Sequence, residues 1–277
     1  MLQIDAHQHF WKFDPVRDSW INDEMKSIQR DFLPEDLYPL LKENEIDGCV
    51  AVQVDQSEME NLFLLELASK YHFIKGIVGW VDLSSENIDE KLHGLSRFKL
   101  LKGFRHILQS EADDEFMLRT DFVRGISTLQ KYGLTYDILI YPKHLKYAKQ
   151  LVKAFSNQPF VIDHLAKPYI RDKNIDQWRK DIQALAEHEN VWCKVSGMVT
   201  EANWKDWKSE DFNPYLDTVF ESFGPNRILF GSDWPVCQLA ASYGQVVDIV
   251  RQYTASFSPD EQVAVWGGNA KTFYNLF

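Results

Sequence analysis

Two histidines, His7 and His9, lie two positions apart at the end of a short strand-like run near the start of the chain. Residues at this spacing on a β-strand project to the same side, about 6.6 Å apart along it. Two imidazoles on one side can share a metal ion or hold one polar group of a substrate. Such pairs also arise by chance, but the place of this pair at a strand end favours a functional role.

A carboxylate, Asp233, follows the run ILFGS near the other end of the chain. Partial burial raises the pKa of a carboxyl group, and a nearby cation lowers it. A carboxylate in such a place can take a proton from water as the water attacks a carbonyl carbon. The alternative is that Asp233 is the N-cap of the next helix, since Pro235 would suit the first helical position. Its position at a strand end favours the catalytic interpretation.

Three further candidates for catalysis follow other strand-like runs. His164 comes after FVID and is either a site residue or a buried histidine bonded to a backbone carbonyl. Arg105 and His106 follow LLKGF, and His106 is either a site residue or an exposed loop residue. We predict that the catalytic residues are Asp233, His106, Arg105 and His164.

The residues predicted to contact a substrate are mostly aromatic. A sugar ring presents an apolar C–H face that aromatic side chains bury well, while its hydroxyl groups need polar neighbours. Tryptophan is as often a core residue, so both interpretations are open for each ring. The predicted substrate contacts, all at or beside strand ends, are Trp11, Gln53, Trp80, Lys167 and Trp234.

Eight short apolar runs alternate with longer segments of helical pattern. Continuous runs such as GCVAVQV and DILI are typical of strands buried on both faces of a parallel sheet. Eight such units in about 250 residues predict an α/β fold, a single (β/α)8 TIM barrel, with its site at the carboxyl ends of the strands. An open doubly wound sheet is the alternative, but no glycine-rich loop follows the first strand. The predicted strands are Leu2–His7, Asp47–Val54, Ile74–Val81, Leu101–Ile107, Leu134–Ile140, Phe160–His164, Val191–Ser196 and Ile228–Ser232.

Helix signals fall between these strands. Ser57 begins a capping-box pattern, and Pro142 precedes an apolar stripe of 3.6-residue period. Gly133 lies where a helix C-cap would precede the fifth strand. The stretch Ser258–Phe277 predicts a closing pair of helices. No linker-like composition divides the chain, so we expect one domain over residues 1–277.

Composition limits the partners. The 277 residues include 30 Lys and Arg against 41 Asp and Glu, a net charge of −11, so a nucleic-acid partner is not expected. The sequence has no apolar stretch of about 18 residues and no signal-peptide pattern, so we expect no membrane partner. Three widely spaced cysteines favour reduced thiols and a cytoplasmic location. The expected partner is a small molecule, and a homo-oligomer is left open.

Several segments together resemble a known group of enzymes. They read DAHQHFW at 5–11, GFRH at 103–106, DHLAKP at 163–168 and FGSDWP at 230–235. These segments resemble the amidohydrolase superfamily. With KVSGM at 194–198 they resemble, more narrowly, its sugar-lactone hydrolases, the L-fuconolactone and L-rhamnonolactone hydrolase group. The resemblance implies a distorted TIM barrel that hydrolyses an aldonolactone to its aldonate.

The same resemblance implies a metal site. Members of the superfamily often hold one or two divalent ions between histidines of the first and later strands and an aspartate of the last. Here the fourth strand lacks the common bridging Lys or Glu, and the fifth ends in Tyr141 where a histidine is common. We therefore expect one divalent ion at most, with zinc the best match, or a metal-independent enzyme. The implied ligands are His7, His9, His164 and Asp233.

Three functions compete at this point. In the first, Asp233 deprotonates a water that opens a sugar lactone, and a metal ion or the surrounding histidines and Arg105 stabilise the oxyanion. The second is metal-dependent decarboxylation of an aromatic acid on the same fold. The third is a binding protein without catalysis, which the concentration of titratable groups at strand ends argues against. Lactone hydrolysis is the prediction.

Overall fold

Eight parallel β-strands form one sheet in the computed structural model, which describes residues 2–277. Each strand pairs with the next in chain order, and Gln8 bridges to Trp234 where the last strand returns to the first. The predicted (β/α)8 barrel is therefore confirmed. The strands are β1 Ile4–Gln8, β2 Gly48–Val52, β3 Ile74–Gly79, β4 Leu101–His106, β5 Thr135–Ile138, β6 Phe160–Ile162, β7 Val191–Val195 and β8 Ile228–Phe230.

Helices connect the strands and cover the outside of the barrel. Gly133 is left-handed (φ 65°) just before β5, and Ser57 accepts a hydrogen bond from the backbone of Glu60 at the start of a helix, as predicted. Within residues 2–277, no helix is both long and apolar enough to cross a membrane. The helices are α1 Pro34–Glu43, α2 Glu58–Lys70, α3 Ile88–Leu95, α4 Thr120–Leu129, α5 Leu145–Ala154, α6 Asp176–Ala186, α7 Met198–Glu201, α8 Asn213–Phe223, α9 Tyr243–Thr254, α10 Pro259–Val263 and α11 Asn269–Phe273.

The strands are shorter than the sequence predicted. At β6 and β8 the chain leaves the sheet before it reaches the candidate site residues His164 and Asp233. β6 ends at Ile162 rather than His164, because the backbone turns into the left-handed region at His164 (φ 54°). β8 ends at Phe230 rather than Ser232, and Asp233 is again left-handed (φ 58°). His164 and Asp233 therefore lie on loops that begin at strand ends, whereas His7 and Arg105 lie within β1 and β4.

The two ends of the barrel differ in chemistry. At the amino end of the strands, apolar side chains from the sheet pack against Phe273 and Tyr274 at the end of the chain. This packing closes the barrel opposite the candidate site. The apolar strand residues in this cluster are Ile4, Ala6, Val50, Val52, Val78, Val161 and Leu229.

Candidate active site

Four predicted side chains meet at the carboxyl ends of the strands. His9 Nε2 lies 3.3 Å from His7 Nε2 and 3.4 Å from Asp233 Oδ1. His164 Nε2 lies 3.8 Å from the same carboxylate oxygen, and the rings of His7 and His164 are 4.3 Å apart. All four residues are buried. Three imidazoles and one carboxylate therefore form a single cluster.

The outer nitrogens of two of these rings have fixed partners. His9 Nδ1 lies 2.8 Å from the carbonyl oxygen of Val52, so it donates its proton to that oxygen. His164 Nδ1 lies 2.8 Å from Ser196 Oγ on the loop after β7. Partners of this kind orient a ring and aim its other nitrogen into the site.

His164 begins a run of four left-handed residues. The φ angles of His164, Leu165, Ala166 and Lys167 lie between 50° and 57°. The left-handed region costs a residue with a side chain about 1–2 kcal/mol, so packing must hold this turn. Leu165 and Ala166 are fully buried, and Trp178 Nε1 donates to the Leu165 carbonyl at 2.8 Å. The turn places His164 and Lys167 on the same cavity wall.

Asp233 is held by its backbone, which frees its carboxylate. Its N–H donates to the His7 carbonyl at 2.8 Å, and its carbonyl accepts from Cys237 at 2.9 Å. The carboxylate faces His9 and His164. The short helical turn Val236–Leu239 has no side-chain N-cap bond. The alternative interpretation of Asp233 as an N-cap is therefore wrong.

Charged residues fill the barrel beneath this cluster. Lys194 Nζ lies 2.5 Å from Asp137 Oδ2 and 3.0 Å from Asp163 Oδ1, and all three residues are fully buried. Arg105 Nη1 donates to Asp163 Oδ2 at 3.1 Å. Tyr274 lies at the closed end of the barrel, and its hydroxyl group donates a hydrogen bond of 2.7 Å to Asp137 Oδ2. Two cations thus balance two carboxylates in the interior.

Burial and neighbouring charge set the protonation states. Burial lowers the pKa of His164 to about 4 and the pKa of His7 well below its usual value, so both rings are neutral at pH 7. Burial alone would raise the pKa of Asp233, but the His164, His9 and His7 rings outweigh it and lower that pKa. Asp233 is therefore an ionised carboxylate beside the neutral rings of His7 and His164.

A cavity of about 190 Å³ opens above the cluster. It is smaller than the roughly 300–1,000 Å³ of drug-sized sites and suits a ligand of monosaccharide size. Its polar wall consists of His9, Arg105, Gln109, Ser110, His164, Lys167 and Asp233, and its apolar wall of Trp11, Trp20, Val54, Ile107, Leu139 and Val236.

The other predicted site residues divide into two groups. Trp11 and Lys167 line the cavity. Gln53 lies beneath it, where its Oε1 accepts from Arg105 at 2.9 Å. Trp234 is fully buried against Phe10 and Phe32 in the core, so the expected substrate contact does not fit its position.

His106 also lies outside the cluster. Its Nε2 is 2.7 Å from Glu111 Oε1, its ring stacks on Phe116, and Trp80 Nε1 donates to its Nδ1 at 3.4 Å. Successive strand residues face opposite sides, so β4 directs Arg105 into the barrel and His106 away from it. The expected catalytic role of His106 and the expected substrate contact of Trp80 do not fit this placement.

Sequence reasoning missed the buried charges and one aromatic side chain. Asp137, Asp163 and Lys194 each interrupt or end an apolar strand run, and a charge inside such a run was the available signal. Trp20 lies in the β1–α1 loop and lines the cavity with 43% of its surface exposed. Nothing in the loop sequence separates it from other surface aromatics.

The sequence pattern of the amidohydrolase family matches residues 4–276. The chain belongs to the amidohydrolase family. This amidohydrolase is 38% identical to the L-fucono-1,5-lactonase of Burkholderia multivorans over 286 residues, which cover 99% of this chain and 96% of that relative. The family resemblance predicted from the sequence is confirmed.

Solved structures agree at two levels of similarity. A crystal structure of an amidohydrolase from Burkholderia multivorans with bound zinc is 38% identical, has a TM-score of 0.96 and covers 100% of both chains. The 2,6-dihydroxybenzoate decarboxylase from Rhizobium has a TM-score of 0.69 at 13% identity, covering 99% of both chains. The second likeness is one of fold alone, so the decarboxylase alternative has no support beyond the shared barrel.

The donor set of this amidohydrolase fits one divalent ion. Ligand atoms of His7, His164 and Asp233 all lie within 4.8 Å of one another. His9 Nε2 lies beside them, 3.4 Å from Asp233 Oδ1. Imidazole and carboxylate ligands suit zinc. The carboxylates below are already balanced by Lys194 and Arg105, which disfavours a second ion.

Proposed function

We propose that this amidohydrolase opens a sugar lactone to its aldonate, with Asp233 as the general base. The observation that carries the proposal is the ionised Asp233 carboxylate on the wall of a cavity of monosaccharide size. The similarity to L-fucono-1,5-lactonase supports a six-carbon aldonolactone as the substrate.

The cavity walls suit such a ring. A sugar lactone has an apolar C–H face and hydroxyl groups on its edge. Trp11 and Trp20 offer aromatic surface, with their rings 6.2 Å apart and edge to face. Gln109 and Lys167 offer polar atoms for the hydroxyl groups.

The reaction needs one proton transfer in each direction. Asp233 takes a proton from water as the water oxygen bonds to the lactone carbonyl carbon. The ring C–O bond then breaks, and Asp233 gives that proton to the leaving alkoxide. Arg105 and His164 lie on the same wall and can donate hydrogen bonds to the oxygen that becomes negative in between. The product carboxylic acid ionises and releases one proton to solvent.

We further propose that His7, His9, His164 and Asp233 can hold one zinc ion. A bound zinc ion would polarise the lactone carbonyl and lower the pKa of water. Direct metal analysis of protein purified without chelator tests whether this site holds zinc. Full activity after the ion has been removed would exclude a catalytic role for it.

A lactone panel tests the proposed function. The protein is mixed with 1,4- and 1,5-aldonolactones, including those of L-fucose and L-rhamnose, in weak buffer with a pH indicator. We expect enzyme-dependent acid release from at least one lactone above its spontaneous rate. Acid release no faster with wild type than with Asp233→Asn on every lactone would refute the proposal.

A further inference from the structure

Within residues 2–277, two cationic side chains line the cavity, and each is paired with a carboxylate that does not line it. Arg105 Nη1 lies 3.1 Å from Asp163 Oδ2, and Lys167 Nζ lies 3.7 Å from Glu201 Oε1. Asp163 lies inside the barrel, and Glu201 lines a separate groove at the surface. The positive charge at the cavity wall is therefore offset by carboxylates that lie outside the cavity.

The ion pair of Lys167 and Glu201 joins two loops that follow neighbouring strands. Lys167 ends the left-handed turn after β6, and Glu201 is the last residue of α7, which follows β7. The exposed fractions of the two side chains are 20% and 21%, so the pair is largely shielded from water. Burial raises the pKa of Glu201, and the Lys167 ammonium opposes that rise. Charges in such a place act on each other more strongly than those of an exposed pair.

Lys167 keeps hydrogen-bonding capacity for a ligand in spite of this pair. Its ammonium group has three N–H donors. The 3.7 Å to Glu201 Oε1 is longer than an ordinary hydrogen bond of roughly 2.7–3.2 Å, and the Tyr141 ring centroid lies 5.7 Å away. An acceptor in the cavity can therefore take a hydrogen bond from Lys167. Such a bond is stronger when the acceptor is a carboxylate, so a lysine without a partner would favour anions.

The reaction proposed above turns a neutral ligand into an anion. A sugar lactone carries no charge, whereas its aldonate carries a carboxylate that an ammonium group attracts. The negative charge of Glu201 reduces this attraction, because it acts on the same carboxylate with the opposite sign. A hydrogen bond from Lys167 to a neutral hydroxyl group depends much less on the charge of Glu201.

We propose that Glu201 is a positioning residue that acts through Lys167 and makes the cavity favour neutral ligands over ligands that carry a carboxylate. It weakens binding of the aldonate product and leaves binding of the lactone nearly unchanged. The inference rests on the proposed function for the identity of the ligands. The binding measurements that test it need no turnover, so they are independent of the assignment of the general base.

Calorimetry with a charged and a neutral ligand of the same sugar tests the proposal. L-fuconate carries the carboxylate, and L-fucitol carries a hydroxyl group in its place. Glu201→Gln keeps the shape of the side chain and an oxygen beside Lys167, but it removes the charge. At pH 8 and low salt we expect this variant to bind L-fuconate more tightly than the wild type by on the order of tenfold, and L-fucitol equally well.

Two outcomes of this comparison overturn the proposal. The first is that Glu201→Gln binds L-fuconate no more tightly than the wild type, including the case in which neither binds it. The second is a gain of the same size for L-fucitol, which would show a change of shape instead of charge. A measurement on the wild type alone adds a third test, because a steep fall of L-fuconate affinity with added salt would show that the Lys167 charge is not offset.

A second variant shows whether the effect passes through Lys167. In the Lys167→Met background, Glu201→Gln should lose most of its effect on L-fuconate binding, because no ammonium group remains to attract the carboxylate. A gain that persists in full contradicts the proposal. Glu24→Gln is the matched control, since Glu24 is an exposed carboxylate that lines the same surface groove as Glu201. It should leave both affinities at wild-type values, and circular dichroism checks that each variant folds.

Discussion

Identical side chains near the site have different states because their neighbours differ. Burial raises the pKa of Asp137 to about 6, although Lys194 and Tyr274 both donate to it. Burial also acts on Asp163, but Lys194, His7 and Arg105 outweigh it and hold that pKa well below its usual value. Asp233 faces imidazoles and the cavity instead of a cation. Of the three carboxylates, only Asp233 lines the cavity, and it is therefore the one proposed as the general base.

Replacement of Asp233 tests that assignment. Asp233→Asn keeps the shape of the side chain and removes the proton acceptor, so we expect kcat to fall by about 10²–10⁴-fold on the best lactone. The melting temperature should change little. Asp82→Asn is the control, because Asp82 is an exposed carboxylate that follows β3 outside the cavity. Equal losses of kcat in the two variants would argue against Asp233 as the base.

At the scale of the element, the strands could be predicted and the loops that follow them could not. Apolar β-branched runs indicate a strand because they satisfy a sheet buried on both faces. The left-handed turn at 164–167 has no such signal, since leucine and alanine seldom adopt that conformation. Its packing against Trp178 and the core holds it, together with the hydrogen bond from the Lys167 N–H to the His164 carbonyl at 2.7 Å. The sequence therefore located His164 in the site but not the turn that aims it.

Gly197 is the element-scale feature on which His164 depends. Its φ is 63°, and a Cβ there would lie 2.6 Å from His164 Nδ1. Gly197→Ala should cost about 1–2 kcal/mol of unfolding free energy and displace the ring, with a fall in kcat of roughly tenfold to hundredfold. Gly133 has nearly the same φ, 65°, with open space around it. Gly133→Ala should lose similar stability with normal kcat, and a matching loss of kcat would contradict this account.

Glu60 in α2 gives a pH-dependent prediction. Burial raises its pKa from 4.5 to about 7, although its carboxylate accepts from Val54 N–H at 3.1 Å. The stability that depends on the protonated Glu60 carboxyl group is fully present below its pKa in the unfolded chain. That stability is lost as the pH rises through its pKa in the folded protein, about 7. Glu60→Gln should therefore be more stable than wild type at pH 8, by up to about 3 kcal/mol, and equal to it near pH 4.5.

Denaturant unfolding at the two pH values measures this difference. Glu58→Gln is the control, because Glu58 is exposed on the same helix and its ion pair with Lys91 is a surface one. We expect it to change stability by under about 1 kcal/mol at either pH. A stability gain for Glu60→Gln that is the same at both pH values would show that ionisation is not its cause.

At the scale of the whole molecule, the barrel brings together residues that the sequence keeps far apart. His7 and Asp233 were predictable as partners, because both lie at the carboxyl ends of strands and parallel strands share one carboxyl end. The pairing of Lys194 with Asp137 was not, because both residues lie within the strands β7 and β5 and their side chains meet inside the barrel. Which side chains meet there depends on the alternation of each strand and on the stagger between strands. The sequence pattern determines neither the alternation nor the stagger to within one residue.

The seam between the first and last strands is the place where the barrel and the site depend on each other. Asp5 is fully buried; its Oδ1 accepts from Ser232 N at 2.9 Å, and its Oδ2 accepts from Ser232 Oγ at 2.6 Å and Tyr243 OH at 3.1 Å. Few other bonds close this seam, and His7 and Asp233 lie on its two sides.

Removal of the Asp5 carboxylate should therefore weaken both stability and activity. Asp5→Ala leaves several buried donors unpaired, at about 1–3 kcal/mol each, so we expect a loss of roughly 3 kcal/mol or more in unfolding free energy. Tyr243→Phe removes a single bond and should cost about 1 kcal/mol with nearly normal kcat. His7 and Asp233 lie on opposite sides of the seam, so a change in the seam should displace one relative to the other. The kcat of the Asp5→Ala variant should therefore fall even at temperatures where the variant is folded. Thermal melts and initial rates at about 20 °C measure the two effects, and a variant with lower stability but wild-type kcat would show that the seam does not position the site.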